Sequence, residues 1–181
     1  MTLLILGLLL WSFAHLFKRL MPAAREGMGE KGKGLVALGS LAGIVLMVIG
    51  YRMADGAVLW SRSPMLTGLN NLLMLVAIYI FAASGMKLGI TRRLRHPMLA
   101  GVGIWALAHL LVNGDLESII LFSGLWAWAI VSVKMINTAQ PVWDKPEPKP
   151  AKKEVMAVVG ALIVYGAIVA VHLLFGLQVF G

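Results

Sequence analysis

The side chains with ligand chemistry in this sequence are four histidines, His15, His96, His109 and His172, set in or beside long apolar runs. An ionisable group inside such a run is costly and marks a functional position unless a neighbouring helix satisfies it. His109 lies about twelve residues into the run 97–113, roughly 18 Å from its start at 1.5 Å per residue. Trp105, His109 and Asn113 fall at i, i+4 and i+8 and share one helical face. Trp11, His15 and Arg19 form the same kind of stripe near the N-terminus. His172 lies in the last apolar run, and His96 precedes Pro97 among arginines at a boundary. Beside each functional reading stands a structural one. For His109 and His172 it is a hydrogen-bonded packing residue, for His15 an interfacial one, and for His96 a helix-start residue facing lipid head groups.

Paired imidazoles without thiolates or buried carboxylates suit one metal cofactor best. Ligation of haem b needs two neutral imidazoles facing each other across a dry, flat cavity. A zinc site would want three or four ligands at one depth, and a di-iron site four or more carboxylates inside the bundle. The chain has no cysteine, so disulfides, iron–sulfur clusters and thiolate chemistry are excluded.

The elements that must position these residues are membrane helices. The chain of 181 residues is 60% hydrophobic and 13% charged, with mean hydropathy +0.87, values of an integral membrane protein. Apolar runs at about 2–20, 35–53, 69–88, 97–113, 116–136 and 155–180 predict an all-α bundle of six transmembrane helices in a single domain spanning 1–181. Of the sixteen Lys and Arg, all but Arg52 and Arg62 fall in the first, third and fifth connections. The positive-inside rule therefore puts those loops in the cytoplasm and both termini outside. The net charge of +8 is then a matter of topology, with no nucleic-acid partner implied. The first run lacks a preceding positive charge and is read as a retained helix, not a signal peptide.

Segment 27–34 reads as a flexible basic loop, and 51–67 as the longest external loop, with Trp60 as an interfacial anchor or a lid. Segment 138–154, with Pro141, Pro146, Pro148 and Pro150, reads as an extended cytoplasmic linker. Asn113-Gly114-Asp115 predicts a tight turn, with Gly114 at positive φ and Asp115 capping the next helix. Gly39/Gly43 and Gly85/Gly89 are spaced for close helix contacts. Trp11-Ser12-Phe13-Ala14-His15-Leu16 and Trp105-Ala106-Leu107-Ala108-His109-Leu110 agree at four of six positions. An inverted repeat and coincidence both account for that echo.

Arg95-His96-Pro97-Met98-Leu99 followed by Trp105-Ala106-Leu107-Ala108-His109-Leu110-Leu111-Val112-Asn113-Gly114-Asp115-Leu116 resembles the signature of the NnrU family of bacterial membrane proteins. Leu69-Asn70-Asn71-Leu72-Leu73-Met74 and Ala14-His15-Leu16 fit it too, and the resemblance covers the chain to about Asn137. It implies a relation to 15-cis-zeta-carotene isomerase, a membrane enzyme that holds haem b between two histidines and isomerises a carotenoid double bond without net oxidation. It also implies the bacterial inner membrane and a link to nitrite and nitric oxide reduction in denitrification. Carried over residue by residue, the family's histidines fall on His15 and His109 as haem ligands, with Trp105 and Asn113 as cofactor contacts. His96 matches a boundary position, and His172 lies where the resemblance is thin.

Two functions follow as expectations: a haem-dependent isomerase of a hydrophobic polyene, with Trp105, Trp126 and Trp128 as channel walls, or a non-enzymatic electron-transfer, assembly or sensing factor serving a nitrite or nitric oxide reductase. A transporter would want a broken helix at the midplane, and the run 97–113 is uninterrupted. Counted from span centres, His15 and His109 differ by roughly 9 Å in depth. Ligands of one haem stand about 12 Å apart at Cα, so this pair needs a tilted ligation axis. His109 with His172 gives an upright haem, and both pairs remain open at this level.

Overall fold

The computed structural model describes residues 1–147 and 149–180, so Pro148 of the predicted linker lies outside the described residues. The described chain is helical, with α1 Thr2–Leu20, α2 Pro22–Gly27, α3 Gly29–Arg52, α4 Pro64–Met86, α5 Pro97–Val112, α6 Leu116–Ala139 and α7 Ala151–Leu174. α1, α3, α4, α6 and α7 are long and apolar enough to cross a membrane, and α5 is a shorter apolar helix. Several helix starts are written in the sequence. Pro22, Pro64 and Pro97 occupy first-turn positions, where a missing N–H costs nothing. Ser63 and Asp115 cap α4 and α6, accepting from Leu66 N at 3.3 Å and Ser118 N at 2.8 Å. α4 stops at Lys87, in the left-handed region at φ 53.

Segment 27–34 is not the loop its composition suggests. Past a single break at Met28, where Gly29 takes φ +50, it forms the first turns of α3. Glu30 and Lys33 pair at 2.7 Å one turn apart on that exposed helix. The helix bounds differ accordingly from the apolar runs: α3 begins at Gly29, α4 at Pro64 and α7 at Ala151, α6 continues to Ala139, and α7 stops at Leu174. Hydropathy marks apolar stretches rather than helix ends: α3, α4, α6 and α7 extend past their runs at one end, and α7 stops short of its run at the other.

In cross-section the helices follow the order α3, α1, α6, α5, α4, α7, each packed on the next, and α3 also touches α6. The α1–α3 seam is the tightest. A Cβ on Gly43 would lie 2.8 Å from Trp11 Cβ, and one on Gly50 would lie 2.1 Å from Leu4 N. Without a hydrophobic drive between helices in lipid, such backbone contact is the main source of cohesion. Gly85 has nothing within 4 Å, so its spacing from Gly89 does not mark a contact. Leu4, Leu8, Met47 and Leu125 form the buried cluster joining α1, α3 and α6.

Helix neighbours do not repeat in the manner of an inverted repeat. α5 packs on α4, whereas its counterpart α1 is not packed on α7.

Connections gather at two ends. At one, Arg95 donates to the Pro141 and Val142 carbonyls at 3.3 and 3.2 Å and to the Gln140 carbonyl. Glu154 there accepts from Gly89 N at 2.7 Å and from the Tyr79 hydroxyl at 3.0 Å, fixing the start of α7 to α4. At the other end, Leu59 N donates to the Gly114 carbonyl at 2.8 Å and Leu116 N to that of Ala57 at 3.1 Å. The 53–63 segment is thereby laid across the α5–α6 turn. Gly114 is not at positive φ; a shortage of space calls for glycine there, because the Trp60 carbonyl would be 2.1 Å from its Cβ.

Candidate functional site

A cavity of about 700 Å³ lies among the helices, with Arg62 of the 53–63 segment in its lining. Its walls come from both ends of the helix row: Met47, Val48 and Tyr51 of α3, and Tyr165, Val169 and His172 of α7. His109 and Asn113 of α5, Phe122 of α6 and Asn70 and Asn71 of α4 complete it, with Arg62 and the tail residues Leu177–Val179 at its outer end. The volume is in the range of about 300–1,000 Å³ that small-molecule and cofactor sites occupy. α3 and α7 flank the cavity and do not pack against each other.

His109 and His172 therefore line one space. Each ring is held by the same local bond. Nδ1 of His109 contacts the Trp105 carbonyl at 2.9 Å, and Nδ1 of His172 contacts the Ile168 carbonyl at 2.8 Å. A backbone carbonyl only accepts, so Nδ1 carries the proton in both, leaving the Nε2 lone pair free. A histidine held in this way can present Nε2 to a metal, its second nitrogen being fixed by a carbonyl. Trp105 and Phe122 pack on the His109 ring with centroids at 5.1 and 4.8 Å, restricting its rotation.

The residues singled out in the sequence are distributed as follows. His109 and Asn113 line the cavity, and the Asn113 amide donates to the His109 carbonyl at 2.9 Å, closing the last turn of α5. Trp105 is behind His109 rather than in the wall, and supplies the carbonyl that holds its ring. His15 has the same bond, Nδ1 to the Trp11 carbonyl at 2.8 Å, but it is exposed and not in the cavity wall. Its neighbour Ala14 is level with Gly39 of α3, and the α3 residues of the cavity begin at Met47. Eight residues of helix separate those levels by about 12 Å. His15 stacks on Trp11 at 3.9 Å and meets the edge of Trp128 at 5.6 Å. His96 donates from Nε2 to Asn137 Oδ1 at 2.8 Å, at the opposite end of the bundle. Trp126 and Trp128 are not in the wall either.

Arg62, Asn70 and Asn71 belong to the site by position and were not assigned to it from sequence, although polar residues at 70 and 71 inside an apolar run are themselves a signal. Asn70 is 8% exposed. With its amide nitrogen turned toward the Ala108 carbonyl it donates there at 2.9 Å, tying α4 to α5 beside His109.

Among the described residues no three His, Cys, Asp or Glu gather as metal ligands. The cavity offers two imidazoles, each held through Nδ1, with walls of Met, Val, Ile, Leu and Phe, a donor set that fits haem b. A family model described as "NnrU protein" matches residues 3–179. No curated protein matches the chain, and no solved structure does.

Proposed function

This chain belongs to the NnrU family, and from that premise we propose that it is a haem b protein of the bacterial inner membrane that isomerises a hydrophobic polyene. His109 and His172 are the residues that would hold the haem. The observation that carries the reading is that these two imidazoles, both protonated at Nδ1, line one largely apolar cavity. Haem b bound there supplies an iron centre able to engage a conjugated double bond and lower its rotation barrier without net oxidation.

The chain's own groups do the rest. The Trp105 and Ile168 carbonyls keep each Nδ1 proton in place, so ligation by Nε2 needs no proton release. Met47, Met74, Phe122 and Val169 exclude water. The unpacked interval between α3 and α7 gives a lipid-borne substrate sideways access to the cavity. The loop charges support an orientation with the Arg95 end in the cytoplasm and the cavity near the outer face.

One observation favours a second reading. His109 and His172 line one cavity, and an iron group held by both would supply electron transfer. Such a protein would serve nitrite or nitric oxide reduction as a non-enzymatic accessory or sensing factor.

Pyridine haemochrome spectra of purified wild type, His109→Ala, His172→Ala and His15→Ala test the site. Haem is expected in the wild type and His15→Ala and lost from the other two. Loss from His15→Ala with retention in His172→Ala would return the second ligand to α1, and a wild type without haem would remove both readings. Reductive incubation with a 15-cis polyene separates them: product formation supports the isomerase, and haem-loaded protein without product supports the accessory.

A further inference from the structure

Arg62 brings a positive charge to the cavity, and among the described residues no Asp or Glu lines that wall. The guanidinium is half-buried. Its Nη1 donates to the Gln178 carbonyl at 2.6 Å, and its Nε is buried with no partner. Among the described residues, the carboxylates at this end of the bundle are otherwise placed. Asp115 caps α6 through Ser118 N, Glu117 accepts from Gly56 N at 3.2 Å, and Asp55 is exposed. Among the described residues Arg62 forms no ion pair. Beside it, the Asn71 amide donates to the Val179 carbonyl at 3.0 Å, so the tail is pinned across the same end. A buried cationic donor without an acceptor is costly, and a planar guanidinium matches a carboxylate better than any other common group.

We infer that Arg62 binds a carboxylate of the molecule that occupies this cavity. On the reading proposed above, that carboxylate is a propionate of haem b. The anionic edge of the group then faces the end of the bundle that carries residues 177–179 of the tail. Arg62 thereby acts as a binding residue, joining cofactor and C-terminal tail through one guanidinium.

The test compares haem with its dimethyl ester, which has the same ring and iron but no carboxylate charge. Both are titrated by absorbance into full-length apo-protein in detergent. Wild type is expected to bind haem about tenfold or more tighter than the ester, the scale of a charge-assisted hydrogen bond. Arg62→Gln is expected to bind both at the weaker affinity, and Arg62→Lys to recover part of the preference. Equal affinity of the wild type for the two forms, a result that needs no variant, overturns the assignment. So does an Arg62→Gln protein that keeps the full preference. Haem that binds with the expected preference but independently of His109 and His172 refutes the ligand reading while leaving Arg62 in place. A wild type that binds neither form refutes both.

Discussion

Trp60 lies against Gly114 with no room for a methyl group between them: a Cβ on Gly114 would fall 2.1 Å from the Trp60 carbonyl oxygen and 2.6 Å from its ring Cγ. The Trp60 indole also donates to the Leu110 carbonyl at 3.0 Å, one residue past His109. The 53–63 segment is thus clamped to the end of α5 that bears the histidine. Gly114→Ala is expected to cost about 1–3 kcal/mol through overpacking, read as a lowered Tm in detergent. An unchanged Tm would show that the clamp carries no stability.

Tyr51 and Ser118 share a hydrogen bond of 2.7 Å that joins α3 to α6. Ser118 is fully buried. Ser118→Ala should cost about 1 kcal/mol or more by stranding the Tyr51 hydroxyl, and adding Tyr51→Phe should recover part of it, because removing both partners is cheaper than removing one. A double-mutant cycle on chemical denaturation measures this. Additive losses would mean that the two groups are not coupled.

Glu154 is the polar anchor of α7, holding the Tyr79 hydroxyl and Gly89 N. Glu154→Ala is expected to raise hydrogen exchange in the first turns of α7 and proteolysis within 140–150, with α1 and α3 unaffected. Uniform exchange changes along the chain would point to global destabilisation instead.

Val48 lines the cavity on α3 and is 52% exposed, at the edge of the interval facing α7. Val48→Trp narrows that interval without touching either histidine. On the isomerase reading, polyene turnover should fall several-fold while the haem spectrum stays as in the wild type. Undiminished turnover would place substrate access elsewhere.

The sequence makes the helices legible because lipid forces apolar backbone into helix, and Pro97 and Asp115 mark where two of them begin, whereas Pro64, read within the 51–67 loop, starts α4. The ends were less legible. Gly-rich residues 29–34 lack hydropathy but remain helical as an extension of α3. The turn at Gly114 is governed by the closeness of Trp60, a contact between residues far apart in the chain. His109 and Asn113 could be named from their stripe. Whether His15 or His172 shares a cavity with His109 could not, since periodicity fixes the face of a helix but not which helix lies opposite it. That depends on α7 packing against α4 and on the row curling back toward α3. Arg62 carried no signal beyond its sign.

The cavity takes walls from α3, near the start of the chain, and from α7 and the tail, near its end. It therefore does not exist until the last helix is in the membrane. A molecule that binds only the finished cavity favours the complete assembly by mass action. On the haem reading, a chain cut short before α7 would lack the ligand that stabilises the complete assembly, and loading would act as a checkpoint in biogenesis.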